Sequence, residues 1–197
     1  MSTILAPATQ ARAADIRDYD LLTLPGWHGS GEDHWQTHWE AALPYAERVG
    51  QDDWDSPHYR DWAPRLSEAV AGRGRPVILI AHSLGTSLVT RWAIETGGAG
   101  VAGALLVATT DRDRWESDPA EPQGFAPMLL APLPFPSIVV ASSDDPRCTI
   151  ERSRAFADAW GSRFIDAGAL GHIGSATKLG IWPQGLLWLG ELVGGLR

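Results

Sequence analysis

Val77–Ala81 (VILIA) and Ile138–Ala141 (IVVA) are continuous apolar runs in the 197-residue sequence. A strand with one face in water alternates apolar and polar residues, because successive side chains point to opposite faces. A strand with no polar face is buried on both sides, as happens in parallel sheets covered by helices. Further short runs predict strands at Asp20–Leu24, Ala46–Val49, Ala104–Ala108 and Arg163–Asp166. Helical patterns over Asp33–Leu43, Tyr59–Ala71, Leu84–Glu95, Glu151–Trp160 and Leu186–Leu192 fall between or after them. Gly97-Gly98 and Gly161 close the third and fourth helices, a common use of glycine. This alternation predicts an α/β fold, a three-layer sandwich around a mainly parallel sheet of about six strands.

One stretch breaks the alternation. Asp111–Pro136 carries six prolines, which exclude a long helix or a central strand and place the segment at a rim of the sheet. No repeat or low-complexity tract divides the chain. A single domain over residues 19–197 is expected, after a flexible extension over residues 1–18.

The apolar content of 44% suffices for a core of this size, and the net charge is −8 without a basic cluster. That balance argues against nucleic acid and anionic membranes as partners. No apolar run approaches the ~18 residues needed to cross a bilayer. The N-terminal "MSTILAPATQARAADIRD" lacks the charged and apolar regions of a secretory signal. A single cysteine, Cys148, forms no intramolecular disulfide, so a cytoplasmic setting is expected. The ten tryptophans are expected mostly as packing residues, with some lining a groove.

The chemistry centres on "AHSLGT". Ser83 stands on the turn between the strand Val77–Ala81 and the helix from Leu84, the context in which a nucleophilic serine is presented. Of the Gly-x-Ser-x-Gly pattern the sequence keeps Gly85 and replaces the first glycine with Ala81, which is still small. The helix start behind Ser83 favours negative charge. A serine nucleophile needs a base, and the base needs an orienting carboxylate. After the strand ending at Ala141 comes "SSDDPR", offering Asp144 and Asp145; after the strand ending at Asp166 comes "AGALGHIG", offering His172. All lie past carboxyl ends of strands, where open α/β sheets bind ligands, and in the order Ser, Asp, His.

Other candidates read as structural. Cys148 lacks an elbow and reads as a packing residue. His82 points away from the Ser83 side chain and reads as packing or support. His34 and His38 stand four apart on a helix, but Trp35 occupies the place of the glutamate in a His-Glu-x-x-His zinc helix, so no metal is expected.

Together, "LPGWHGSGEDHWQTHWE", "AHSLGT", "SSDDPRC" and "GALGHIG…LGIWPQG" resemble the small serine hydrolases related to retinoblastoma-binding protein nine, in particular their bacterial branch. The resemblance runs from about Leu22 to the C-terminus. It implies a minimal α/β-hydrolase fold without a large lid and a triad of Ser83, Asp145 and His172, the family's Asp-Asp-Pro favouring the second aspartate. It further implies an oxyanion hole from the backbone N–H groups of Leu84 and Trp27.

The expected activity is hydrolysis of a small carboxylic ester, or of a thioester or amide, through an acyl-enzyme and without a cofactor. Trp27, His28, Phe125 and Met128 are the expected substrate-pocket residues. The partner is a small acyl substrate; no feature indicates a protein partner. Two other readings are a binding module on a hydrolase scaffold and an aminopeptidase or acyltransferase. An aminopeptidase would use an acid such as Glu32 or Asp33 to receive an ammonium group.

Overall fold

A computed structural model describes residues 14–196. Most of the expected N-terminal extension, residues 1–13, lies outside the described residues. Ile16–Asp18 form one 3-10 turn, capped by the Asp15 side chain.

Six strands, β1 (Asp20–Leu24), β2 (Ala46–Arg48), β3 (Val77–His82), β4 (Val101–Val107), β5 (Ser137–Ala141) and β6 (Arg163–Asp166), form one sheet. Their order is β2-β1-β3-β4-β5-β6 and every neighbouring pair is parallel. β3 is flanked by β1 and β4 and covered on both faces, which is why its sequence has no polar alternation. Leu79 and Ala81 pack into one apolar layer, and Ile78 and Ile80 into the other.

The first layer is closed by α2 (Tyr59–Ala71), α3 (Leu84–Thr96) and α5 (Ile150–Trp160), through Trp62, Leu66, Leu88, Trp92, Phe156 and Trp160. The second is closed by α1 (Trp35–Ala42) and α6 (Pro183–Gly195), through Trp35, Trp39, Leu189 and Val193. A short α4 (Arg112–Trp115) is the one α-helix in the proline-rich segment. The sandwich is thus three-layered as expected, and no inserted domain covers the carboxyl ends of the strands among the described residues.

Two elements differ from the sequence expectation by three residues at an end, the others by at most two. β4 starts at Val101, three residues early, because parallel pairing with β3 carries the strand through Gly103 despite a slip beside Val77. A Cβ at Gly103 would sit 3.2 Å from the Pro136 carbonyl oxygen, so the glycine serves a close approach, not a turn. α6 begins at Pro183 and ends at Gly195, longer than Leu186–Leu192. Proline at the first helical position needs no N–H, and burial of Leu192 and Val193 holds the last turn.

Buried tryptophans are among the largest core side chains, and four of them carry their indole N–H to loop carbonyls. Trp35 donates to the Ile173 carbonyl (2.9 Å), Trp39 to Ile181 (2.7 Å), Trp62 to Asp53 (3.1 Å) and Trp160 to Leu129 (2.8 Å). Each packs an apolar ring while satisfying an irregular segment's carbonyl. Trp62→Ala is therefore expected to lower the unfolding free energy by about 3–5 kcal/mol, read from urea titration.

Candidate active site

The strand order reverses between β1 and β3, which makes the space above their carboxyl ends the natural ligand crevice of such a sheet. Ser83 follows β3 directly and adopts φ 56° and ψ −123°, a strained conformation for a residue with a Cβ. The sharp turn lifts its hydroxyl above the sheet while α3 begins at the next residue.

The turn depends on two close approaches. A Cβ at Gly85 would stand 2.2 Å from the Leu24 carbonyl oxygen, so no side chain fits there. A Cβ at Gly26 would stand 2.7 Å from the Ser83 Cβ. Ala81, by contrast, is a buried strand residue whose methyl packs in the first apolar layer, so the missing glycine costs the turn nothing visible.

The structure brings Ser83, His172 and Asp145 into line. His172 Nε2 lies 2.7 Å from Ser83 Oγ, and its Nδ1 lies 2.8 and 2.9 Å from the two oxygens of Asp145. The Asp145 side chain is 3% exposed and also accepts the Arg147 N–H at 2.9 Å. Asp144 does a different job. Its Oδ1 accepts the Ser142 hydroxyl and the Gly171 N–H, both at 2.7 Å, which holds its carboxyl below the usual range and ties the histidine loop to β5. The two aspartates are thus set apart: Asp145, which the resemblance favours, meets the His172 ring, and Asp144 meets the backbone of its loop.

Behind His172 stand two further histidines. His82 Nε2 lies 2.9 Å from the His172 carbonyl, which can only accept, so that nitrogen carries the proton. Burial drives the His82 imidazole well below its ordinary range, and the adjacent His34 and His172 add to the effect. His34 meets the His82 ring edge-on with centroids 4.7 Å apart, and its Nδ1 caps α1 by accepting the Gln36 N–H at 3.1 Å. Burial first, then Arg48 and the neighbouring histidines, lower His34 to about 4. His34 is thus a helix cap and packing group. Cys148 is buried too, and burial raises its thiol to about 11, far from a thiolate at neutral pH.

A cleft of about 180 Å³ opens over Ser83. Of the residues that the sequence singled out, Trp27, His28, Ser83, Leu84 and His172 line it. Thr110, Arg112, Pro122 and Arg147 line it as well, and sequence reasoning did not single them out. Thr110 and Arg147 follow the ends of β4 and β5, so strand-end position was the signal available. Phe125 and Met128 are a correction. They lie in the first apolar layer, Phe125 packed edge-on against Tyr59 and Trp62, and neither lines the cleft. Glu32 and Asp33 are absent from the cleft wall; Asp33 faces a separate depression with His38 and Lys178. Among the described residues no group of three His, Cys, Asp or Glu side chains could hold a metal ion.

Residues 21–191 match the Serine hydrolase family. The chain belongs to that family. A solved structure from Pectobacterium atrosepticum, described as a YdeN-like hydrolase, is 31% identical, with a TM-score of 0.81 over 90% of this chain and 91% of that one. The YdeN gene product of B. subtilis shares the fold at 19% identity and a TM-score of 0.69, over 88% of this chain and 98% of that one. The type II thioesterase BorB of the borrelidin biosynthetic cluster shares it at 18% identity and a TM-score of 0.63, over 92% and 95%. No curated protein matches the chain. The fold of this serine hydrolase is therefore that of the α/β hydrolases.

The buried histidines set a pH dependence. A histidine held below its ordinary value stays neutral in the folded state while the unfolded chain takes up a proton. Stability is thus intact above about pH 6.5 and falls as pH drops toward 4. For His34 the loss between pH 7 and pH 5 should be about 2 kcal/mol. His34→Asn keeps an acceptor for the cap and removes this titration, so its urea midpoint should vary less over the same interval than that of the wild type.

Proposed function

We propose that this serine hydrolase cleaves small carboxylic esters through an acyl-enzyme, with Ser83 as nucleophile, His172 as general base and acid, and Asp145 as the orienting carboxylate. The observation that carries this reading is the unbroken chain Asp145–His172–Ser83, with contacts of 2.7–2.9 Å in an open cleft. Asp145 holds the Nδ1–H tautomer, leaving Nε2 free to accept the Ser83 proton.

In the first half-reaction Ser83 Oγ attacks the acyl carbon as its proton passes to His172 Nε2. The carbonyl oxygen becomes an oxyanion beside the N–H of Leu84, the first residue of α3, which has no partner one turn back. The N–H of Trp27 is the second donor in this reading. Collapse of the intermediate breaks the bond to the alcohol oxygen, which takes the proton from His172. In the second half-reaction His172 deprotonates a water, that oxygen attacks the acyl carbon, and Ser83 Oγ leaves with the proton returned. Ester plus water gives acid plus alcohol, and no cofactor is needed.

The cleft's modest size, with no covering domain among the described residues, supports a small acyl substrate. The four sequence motifs support a place near the hydrolases related to retinoblastoma-binding protein nine. The single buried cysteine supports a cytoplasmic setting, and no described helix is long and apolar enough to cross a membrane.

A fluorophosphonate probe tests the assignment. Wild type should be labelled and Ser83→Ala should not. Asp145→Asn should lower kcat on p-nitrophenyl acetate by roughly 10³–10⁴-fold through loss of the required tautomer. Asp144→Asn keeps an acceptor for Ser142 and Gly171 and should cost less than about tenfold. A folded wild type that takes no label would favour the binding-module reading, and equal losses at both aspartates would refute the division of roles.

A further inference from the structure

β4 ends at Val107, and the residues that follow are held in a costly arrangement. Ala108 has φ 51°, a left-handed conformation for a residue with a Cβ, although its N–H still donates to the Val140 carbonyl at 2.9 Å. The Thr109 hydroxyl is buried and, among the described residues, makes no hydrogen bond. An unsatisfied hydroxyl and a strained backbone at adjacent positions both oppose folding. What they deliver is the placement of Thr110. That residue is only 2% exposed yet lines the cleft, and its Oγ1 lies 3.2 Å from Ser83 Oγ. Its carbonyl accepts the Ser87 hydroxyl at 3.3 Å, so it is tied to the same helix that starts after Ser83.

The direction of the Thr110–Ser83 hydrogen bond follows from the count of protons. His172 presents Nδ1 to the two oxygens of Asp145, so in the neutral ring the proton sits there and Nε2 accepts. Ser83 therefore gives its only proton to His172 Nε2. The remaining contact of Ser83 Oγ then takes its proton from Thr110.

We propose that Thr110 is a fourth catalytic residue, a hydroxyl that donates to the nucleophilic oxygen throughout the cycle. This rests on the reading of Ser83 as nucleophile. The donation fixes the side chain of Ser83 in the rotamer that faces His172. It also meets negative charge on Oγ at the two moments when that charge develops. During attack the Ser83 proton moves to His172 Nε2 while Oγ forms its bond to the acyl carbon. During deacylation the Oγ–acyl bond breaks, Oγ regains electron density, and His172 returns the proton. Thr110 neither gains nor loses a proton in either step; its O–H stays directed at Oγ. A donor on an attacking oxygen lowers its nucleophilicity slightly, but the site gains because the same contact stabilises Oγ as it leaves and holds it in place.

The test compares Thr110→Val, which keeps the shape and loses the hydroxyl, with Thr110→Ser, which keeps the hydroxyl and loses a methyl. The measurements are kcat and KM on p-nitrophenyl acetate and the second-order rate of fluorophosphonate labelling. Thr110→Val should lose roughly three- to tenfold in kcat and in labelling rate, with KM within about twofold of wild type. Thr110→Ser should stay within about twofold of wild type on all three. The proposal is overturned if Thr110→Val matches wild type, if Thr110→Ser is as slow as Thr110→Val, or if only KM changes. Should Thr110→Val fail to fold, Thr110→Ala against Thr110→Ser makes the same comparison. Labelling that persists in Ser83→Ala would instead remove the reading of Ser83, whereas a Ser83-dependent label with no effect of Thr110→Val removes only the role of Thr110.

Discussion

Everything at the cleft depends on how closely the start of α3 can approach the end of β1. Gly85 lies against the Leu24 carbonyl with no room for a methyl, and Gly26 lies against Ser83 in the same way. Those two absences of a side chain allow the backbone to turn at Ser83 without being pushed off the sheet. The strained φ of Ser83 is then maintained by the buried helix behind it, whose first residues from Leu84 to Thr90 are all buried. Strain of about 1–3 kcal/mol in one residue is small beside the burial of the apolar side chains of β3 and α3.

Such a turn could be read from sequence because its requirements are local: an apolar strand, a serine, a glycine two residues on, and a helical pattern. Asp145 and His172 were legible for a second reason. They follow strands, and strand ends converge at one edge of a parallel sheet whatever path the chain takes between them. The division of work between Asp144 and Asp145 was not legible from residue types, since both precede the same proline. It depends on which carboxylate meets the Gly171 N–H and which meets the imidazole, a matter of ångströms. Phe125 and Met128 were misplaced because a proline-rich segment has no period from which to infer facing. There the path is set by Glu116, which accepts the N–H groups of Gly124, Phe125 and Ala126, and by Asp113, which accepts that of Met128.

The polar groups around Ser83 come from four different strand ends. Trp27 follows β1, Thr110 follows β4, Asp145 follows β5 and His172 follows β6. No two of them share a loop, so their spacing is held by the sheet ladder and not by loop stiffness. Arg112 and Arg147 brace the rim by sharing Glu121, and Arg147 also stacks over the Trp115 ring. Among the described residues, these contacts and the sheet carry the site with no covering domain over it.

The indole of Trp35 links the core to the segment that carries His172. It is packed against Trp39 and Trp182, and its N–H is spent on the carbonyl of Ile173, the residue next to the histidine. A shift of the histidine loop away from the core would therefore strand a buried indole N–H without its acceptor, so the loop's position is tied to the packing of the second layer.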